Sequence, residues 1–198
     1  MVDLNRVCVY CGSSSGVAER YLDVAREMGR CLAGRGIGVV FGGGRVGMMG
    51  AVADAALEAD GEVYGVIPEQ LKELELAHEG LTELHVVDSM HTRKVKMADL
   101  SDAFVALPGG WGTIEEIFEI TTWTQLGYHR KPVGLLNAHG YYDGLLTFLT
   151  HAADEGFIRP QHRRLVQTAT TPPELIDRLA KPVLPPALPK APVSGAGG

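Results

Sequence analysis

Short apolar runs alternate with amphipathic stretches along the chain as far as residue 180. The runs "RVCVYC" (6–11), "GVVF" (38–41), "EVYGVI" (62–67), "LHVVD" (84–88), "AFVAL" (103–107), "PVGLLN" (132–137) and "RLVQTA" (164–169) have the length and β-branched content of strands. Most are near-continuously apolar, which predicts parallel strands covered by helices on each side. Between the first two, Val17, Tyr21, Ala25, Met28 and Leu32 keep to one helical face across 17–34. Helical patterns recur at 46–59, 90–101, 113–126, 141–153 and 172–180. The order predicts an α/β chain: a Rossmann-like doubly wound parallel sheet with helices on both faces, one domain over 1–180. The remainder, 181–198, is rich in proline and glycine without period, and predicts an extended or disordered tail. In such sheets ligands bind beyond the carboxyl ends of strands, where strand order reverses. Function is therefore to be sought in the loops that follow strands.

Composition narrows the classes. The 198 residues are 45% apolar and 21% charged, ordinary for a globular chain with a full core. A net charge of −6 speaks against a nucleic-acid partner. No apolar run approaches the roughly 18 residues of a membrane span, and "MVDLNRVCVY" lacks the pattern of a signal peptide. A cytoplasmic protein is expected. Cys8 and Cys11 form a C-x-x-C, but Cys8 lies within an apolar run, where packing is favoured over redox chemistry. The histidines are scattered without zinc-ligand spacing, so no metal is expected.

Three loops after strands are rich in glycine or serine. "CGSSSG" (11–16) either offers hydroxyls and amides to a ligand or simply turns the chain. "FGGGRVGMMG" (41–50) places Gly42, Gly44 and Gly47 in G-x-G-x-x-G spacing. That spacing alone suggests a dinucleotide, yet it follows the second strand, and Glu69 is a poor match for the ribose-binding acid. The glycines read better as allowing close approach of backbone to a ligand or a neighbouring element. In "LPGGWGTIEE" (107–116), Pro108 suits a strand end, and Gly109, Gly110 and Gly112 let successive N–H groups converge on one anion. Thr113 is read as opening a helix whose first N–H groups join them. This half reads as a phosphate cradle. The other half brings Glu115, Glu116 and Glu119 beside it. Thr113 and Glu116 also match the T-x-x-E of a capping box, so a structural account of these acids stands beside a catalytic one.

The segment "SMHTRKVKMADL" (89–100) favours the catalytic account. Arg93 and Lys94 flank a helical face bearing Met90, Met97 and Ser101. This is either a solvated basic face over core methionines or a pocket wall with cations beside adaptable apolar groups. In the second case the cations let a phosphate and carboxylates share one pocket.

"PGGWGTIEE" with "MHTRK" upstream resembles the Lonely Guy (LOG) family of cytokinin-activating phosphoribohydrolases. The resemblance continues through "VYCGSSSG", "FGGGRVGMMG", "GVIPEQL", "TTWTQLGYHRKPVGLLNAHGYYDGLL" and "EGFI", roughly residues 6 to 158. It implies hydrolysis of the N-glycosidic bond of cytokinin riboside 5′-monophosphates, with AMP also accepted, to free base and ribose 5-phosphate. It implies a homodimer and no cofactor. Arg93 and Glu116 carry over as the catalytic pair. Substrate contacts carry over to Glu75, Arg93, Lys94, Gly109, Gly110, Trp111, Gly112, Thr113, Ile114, Glu115, Glu116 and Thr122. "LKELELAHEG" around Glu75 departs from the family's arginine-glutamate-leucine wording, and Trp111 stands at a variable position. Relatives often bear a lysine decarboxylase label, for which no lysine context argues here.

The residues suit that chemistry in their own right. A carboxylate stabilises an oxocarbenium-like sugar and activates the attacking water. Arg93 either offsets charge on the departing base or clamps phosphate, and the sequence leaves both roles open. Met90, Met97, Trp111 and Trp123 are the candidates to line the base. The rival reading is a non-catalytic AMP-type nucleotide-binding module, which has no need to keep Arg93 and Glu116 together.

Overall fold

The computed structural model describes residues 2–72 and 77–184. Its strands are β1 (Arg6–Tyr10), β2 (Gly38–Phe41), β3 (Val63–Pro68), β4 (Glu83–Val87), β5 (Ala103–Ala106), β6 (Val133–Leu136) and β7 (Val166–Ala169). The helices are α1 (Glu19–Ala33), α2 (Gly47–Leu57), α3 (Met90–Leu100), α4 (Trp111–Leu126), α5 (Asp143–Asp154) and α6 (Pro172–Ala180). Every expected element is present, with ends displaced by no more than two residues. The strands form one sheet in the order β4-β3-β2-β1-β5-β6-β7, each pair parallel. This is the Rossmann-like doubly wound arrangement. Glu75 and residues 185–198 of the tail lie outside the described residues.

Alternating side chains of the strands feed two cores. Val7, Val9, Val39, Phe41 and Leu107 pack with α1, α2 and α6 on one face. Cys8, Tyr10, Val40, Phe104 and Ala106 pack with α3, α4 and the start of α5 on the other. Cys8 and Cys11 therefore belong to opposite cores, and burial pushes both thiols well above the usual thiol range. The C-x-x-C is packing, as the apolar run around it suggested. "LHVVD" is less buried than its composition implied, because β4 is an edge strand with Val86 exposed. Among the described residues, no helix is long and apolar enough to cross a membrane.

The chain winds outward from β1 through β2 and β3 to β4, then returns across the sheet to β5 on the other side of β1. Strand order thus reverses between β1 and β5. Their two C-terminal loops splay apart there and leave a crevice.

Candidate active site

Three loops meet at that reversal. The Gly12 N–H donates to the Pro108 carbonyl at 3.1 Å, and the Met48 N–H donates to the Gly12 carbonyl at 3.0 Å. These bonds tie the loops after β1, β2 and β5 together around a cavity of about 500 Å³, within the usual range for a small-molecule site. Arg93, Gly109, Gly110, Trp111, Gly112, Thr113, Glu115 and Glu116 line it.

The glycine loop differs from its expected form in one respect. Helix α4 starts at Trp111 with Gly110 as its cap, so Thr113 lies inside the first turn and is buried. No side chain caps this helix, and the T-x-x-E capping box does not form. The expectation failed because the Thr113 side chain packs on the backbone of Gly109, where any Cβ would collide with it. The early start leaves the N–H groups of Trp111, Gly112 and Thr113 outside the intrahelical ladder. A Cβ at Gly110 or Gly112 would meet no atom within 4 Å among the described residues, so this part of the loop is bare toward open space. With the positive end of the helix dipole behind it, the loop can hold an anion.

Arg93 enters from α3, whose first turn is capped by Ser89 accepting the Thr92 N–H at 3.2 Å. Its side chain is 5% exposed. Nε donates to the Val66 carbonyl at 3.1 Å and Nη2 to the Gly42 carbonyl at 2.9 Å. A Cβ at Gly42 would run into Nη2. The triple glycine after β2 thus makes room for an arginine of the same chain. Glu116 stands over the end of β1, where its charge adds to burial in raising the Cys11 thiol. Arg93 and Glu116 therefore share one cavity with the anion loop.

Other expected contacts fall elsewhere. Lys94 is 9% exposed and bonds to Glu115 at 2.7 Å and Glu119 at 3.0 Å. Burial pulls its pKa down, but the two glutamates outweigh that and hold it above the usual lysine value. The lysine braces α3 against α4 and is not part of the cavity wall. Ile114 is half-buried behind the loop. Thr122 is exposed further along α4, its hydroxyl donating to the Phe118 carbonyl at 2.8 Å. Of the base-side candidates, Met90 and the 90% exposed Trp111 border the cavity. Met97 is buried in the core, and Trp123 borders a separate groove with Tyr128 and His129. The cavity also draws in Cys11, Ser13, Ser14, Tyr21, Met48 and Tyr141. The serine-rich loop had hinted at its members. Tyr21 had been read only as part of a core-facing helical stripe, and nothing local marked Tyr141.

A switch-point cavity with an uncapped helix start, a fixed guanidinium and a carboxylate defines an α/β protein with the chemistry suited to a phosphorylated ligand. A family model described as "Possible lysine decarboxylase" matches residues 49–179. The probable cytokinin riboside 5′-monophosphate phosphoribohydrolase LOGL3 of Oryza sativa subsp. japonica is 51% identical over 174 residues, 88% of this chain and 82% of that protein. Cytokinin riboside 5′-monophosphate phosphoribohydrolase LOG7 of Arabidopsis thaliana is 51% identical over 88% of this chain and 80% of its own. The X-ray structure of TM1055 matches with a TM-score of 0.69 at 26% identity, covering 89% of this chain and 98% of that one. A molybdenum cofactor carrier protein from Chlamydomonas reinhardtii matches at 0.64 and 25%, over 84% and 90% of the two chains. The chain belongs to the LOG family of cytokinin riboside 5′-monophosphate phosphoribohydrolases. The decarboxylase description draws no support from the cavity, since among the described residues no lysine lines it.

Proposed function

We propose that this chain hydrolyses the N-glycosidic bond of cytokinin riboside 5′-monophosphates, and of AMP, giving the free base and ribose 5-phosphate. The observation that carries the reading is the gathering of Arg93, Glu116 and the Gly109–Thr113 loop around one cavity at the switch point. The relatives at about half identity are named for this activity. In the proposed arrangement the 5′-phosphate sits on the glycine loop and the first turn of α4, and its binding energy positions the sugar. Glu116 steadies the oxocarbenium-like sugar and orients the attacking water. The Arg93 guanidinium is held at the ends of β2 and β3, whereas the loop follows β5. Because Arg93 is anchored on strands other than the one that leads into the loop, it is assigned to the departing base and the loop to the phosphate.

A homodimer in the cytoplasm completes the proposal. Thr122 is exposed on α4 away from this chain's own cavity. Contact of Thr122 with substrate then requires the site of a second copy. The test of the reaction is chromatography of products from isopentenyladenosine monophosphate, AMP and the unphosphorylated riboside. Free base from the monophosphates but not the riboside is expected. Binding of AMP with no base released from any of them would favour the non-catalytic nucleotide-binding module.

A further inference from the structure

Two consecutive tyrosines in the turn after β6 hold the loop after β5 by its carbonyl oxygens. Tyr142, buried, donates its hydroxyl to the Leu107 carbonyl at 2.6 Å. Tyr141, at the cavity wall, donates its hydroxyl to the Gly109 carbonyl at 2.7 Å. The turn that presents them is tightly specified. Asn137 accepts the Tyr142 N–H through Oδ1 at 2.7 Å and donates Nδ2 to Asp143 Oδ1 at 2.7 Å. His139 and Gly140 both adopt left-handed backbone, with φ of 55° and 69°. A histidine holds that conformation only where its surroundings impose it. The Tyr141 ring is packed edge-on against Tyr21 and Tyr142, with centroids 5.6 and 5.0 Å apart.

A trans peptide directs its C=O and its N–H to opposite sides of the chain. A hydroxyl bound to the Gly109 carbonyl therefore also sets the direction of the Gly110 N–H. This peptide joins two glycines, and although Thr113 packs against Gly109, the Gly110 side is bare, so sterics restrain its rotation from one side only. Rotated, it would show an anion a carbonyl oxygen where an N–H is needed. We infer that Tyr141 is a positioning residue of the anion site, its hydroxyl locking the Gly109–Gly110 peptide in the orientation that receives the phosphate of a nucleoside monophosphate. The inference rests on the proposed reading of this loop as the phosphate cradle. Tyr141 itself touches no reacting atom. It acts through the peptide it holds.

Tyr141→Phe and Tyr141→Ala separate the hydroxyl from the ring. Each would be titrated by calorimetry with ribose 5-phosphate and with adenosine, and assayed on AMP. Loss of one positioning hydrogen bond should weaken ribose 5-phosphate binding about five- to tenfold in Tyr141→Phe. KM for AMP should rise alike, with kcat within about threefold and adenosine binding unchanged. Tyr141→Ala should lose at least as much. If Tyr141→Phe matches the unaltered chain and only Tyr141→Ala is impaired, the ring matters and the inference is overturned. Equal losses for adenosine and ribose 5-phosphate would also overturn it, since they mean general damage to the cavity. Failure of the unaltered chain to bind ribose 5-phosphate would instead sink the cradle reading on which the inference stands. A measurement free of any variant is nitrogen-15 glycine labelling, in which the Gly110 amide signal should shift strongly on adding ribose 5-phosphate. An unmoved Gly110 signal would count against the lock.

Discussion

The two glycine loops look alike in sequence and serve opposite ends. After β2, glycine is needed because the protein fills the space: the Arg93 guanidinium lies where a Cβ of Gly42 would be. After β5, Gly110 and Gly112 leave space unfilled, with no atom of the described residues within 4 Å of where their Cβ atoms would be. Gly109 belongs to the first type, since it seats Thr113. One loop is thus a socket for a cation of the chain, and the other, on the proposed reading, a surface kept bare for an anion from outside. Glycine content alone does not distinguish them. What lies against each glycine does.

On the proposed reading the chemistry lies between the loops, at Glu116, and the largest expected effect is there. Glu116→Gln should lower kcat by about a thousandfold, the middle of the range for loss of a general acid–base group. Calorimetry should find ribose 5-phosphate affinity changed by less than about threefold. Turnover that survives the substitution would remove Glu116 from the mechanism.

The socket is tested next. Gly42→Ala should displace the guanidinium and cost about a hundredfold in kcat/KM, as misplacement by about 1 Å can. Arg93→Ala should cost a similar factor. Combined, the two should cost no more than Arg93→Ala alone, because without the guanidinium the new methyl group meets only the end of the flexible Met49 side chain. Additive losses in this double-mutant cycle would show that Gly42 serves something other than Arg93.

The bare surface should respond differently. Gly110→Ala puts a methyl group where the anion would lie, at a φ of −93° outside the left-handed region that favours glycine. KM for AMP should rise about tenfold, the cost of one lost anion contact. Thermal melting should be almost unchanged, whereas Gly42→Ala should lower the melting temperature as well as the rate. A Gly110→Ala protein that melts early but binds normally would reverse the roles of the two loops.

Much of this arrangement was legible in the sequence, and the failures have physical reasons. Apolar runs and helical stripes located every strand and α-helix among the described residues, because each must bury its own side chains. The glycine loop after β5, Arg93 and Glu116, which line one cavity, lie at strand ends or near helix starts, where local sequence fixes geometry. Met90 and Met97 share a helical face, but seven residues put them about 10 Å apart along the axis. One therefore reaches the cavity and the other the core. Lys94 is a substrate contact only by the family resemblance, and its bonds to Glu115 and Glu119 depend on how α3 docks on α4, which no local pattern carries. Tyr141 is brought to Gly109 from 32 residues away by β6, a relation no local pattern carries.

The smallest expected effect lies far from both loops and removes a confounder from tests of either. His129 follows the C-terminal end of α4, its Nδ1 accepting the Lys131 N–H at 3.2 Å and its ring 5.5 Å from that of Phe104. Nε2 is buried without a hydrogen-bond partner among the described residues. Burial first, and the Lys131 charge second, lower its pKa from 6.5 to about 4. Between those values the unfolded chain binds a proton that the native chain refuses. Stability should therefore fall as pH drops from about 6.5 to 4, and no further on this account below 4. After discounting for partial exposure, the loss should be about 1–2 kcal/mol. Urea unfolding at pH 7.5 and 4.5 would measure it, and His129→Asn, which retains an acceptor for the Lys131 N–H, should abolish that share. Acid loss of turnover that persists in His129→Asn then belongs to the site between the loops, while loss that vanishes belongs to the fold. An unchanged acid slope in the variant would show that His129 is not the group responsible.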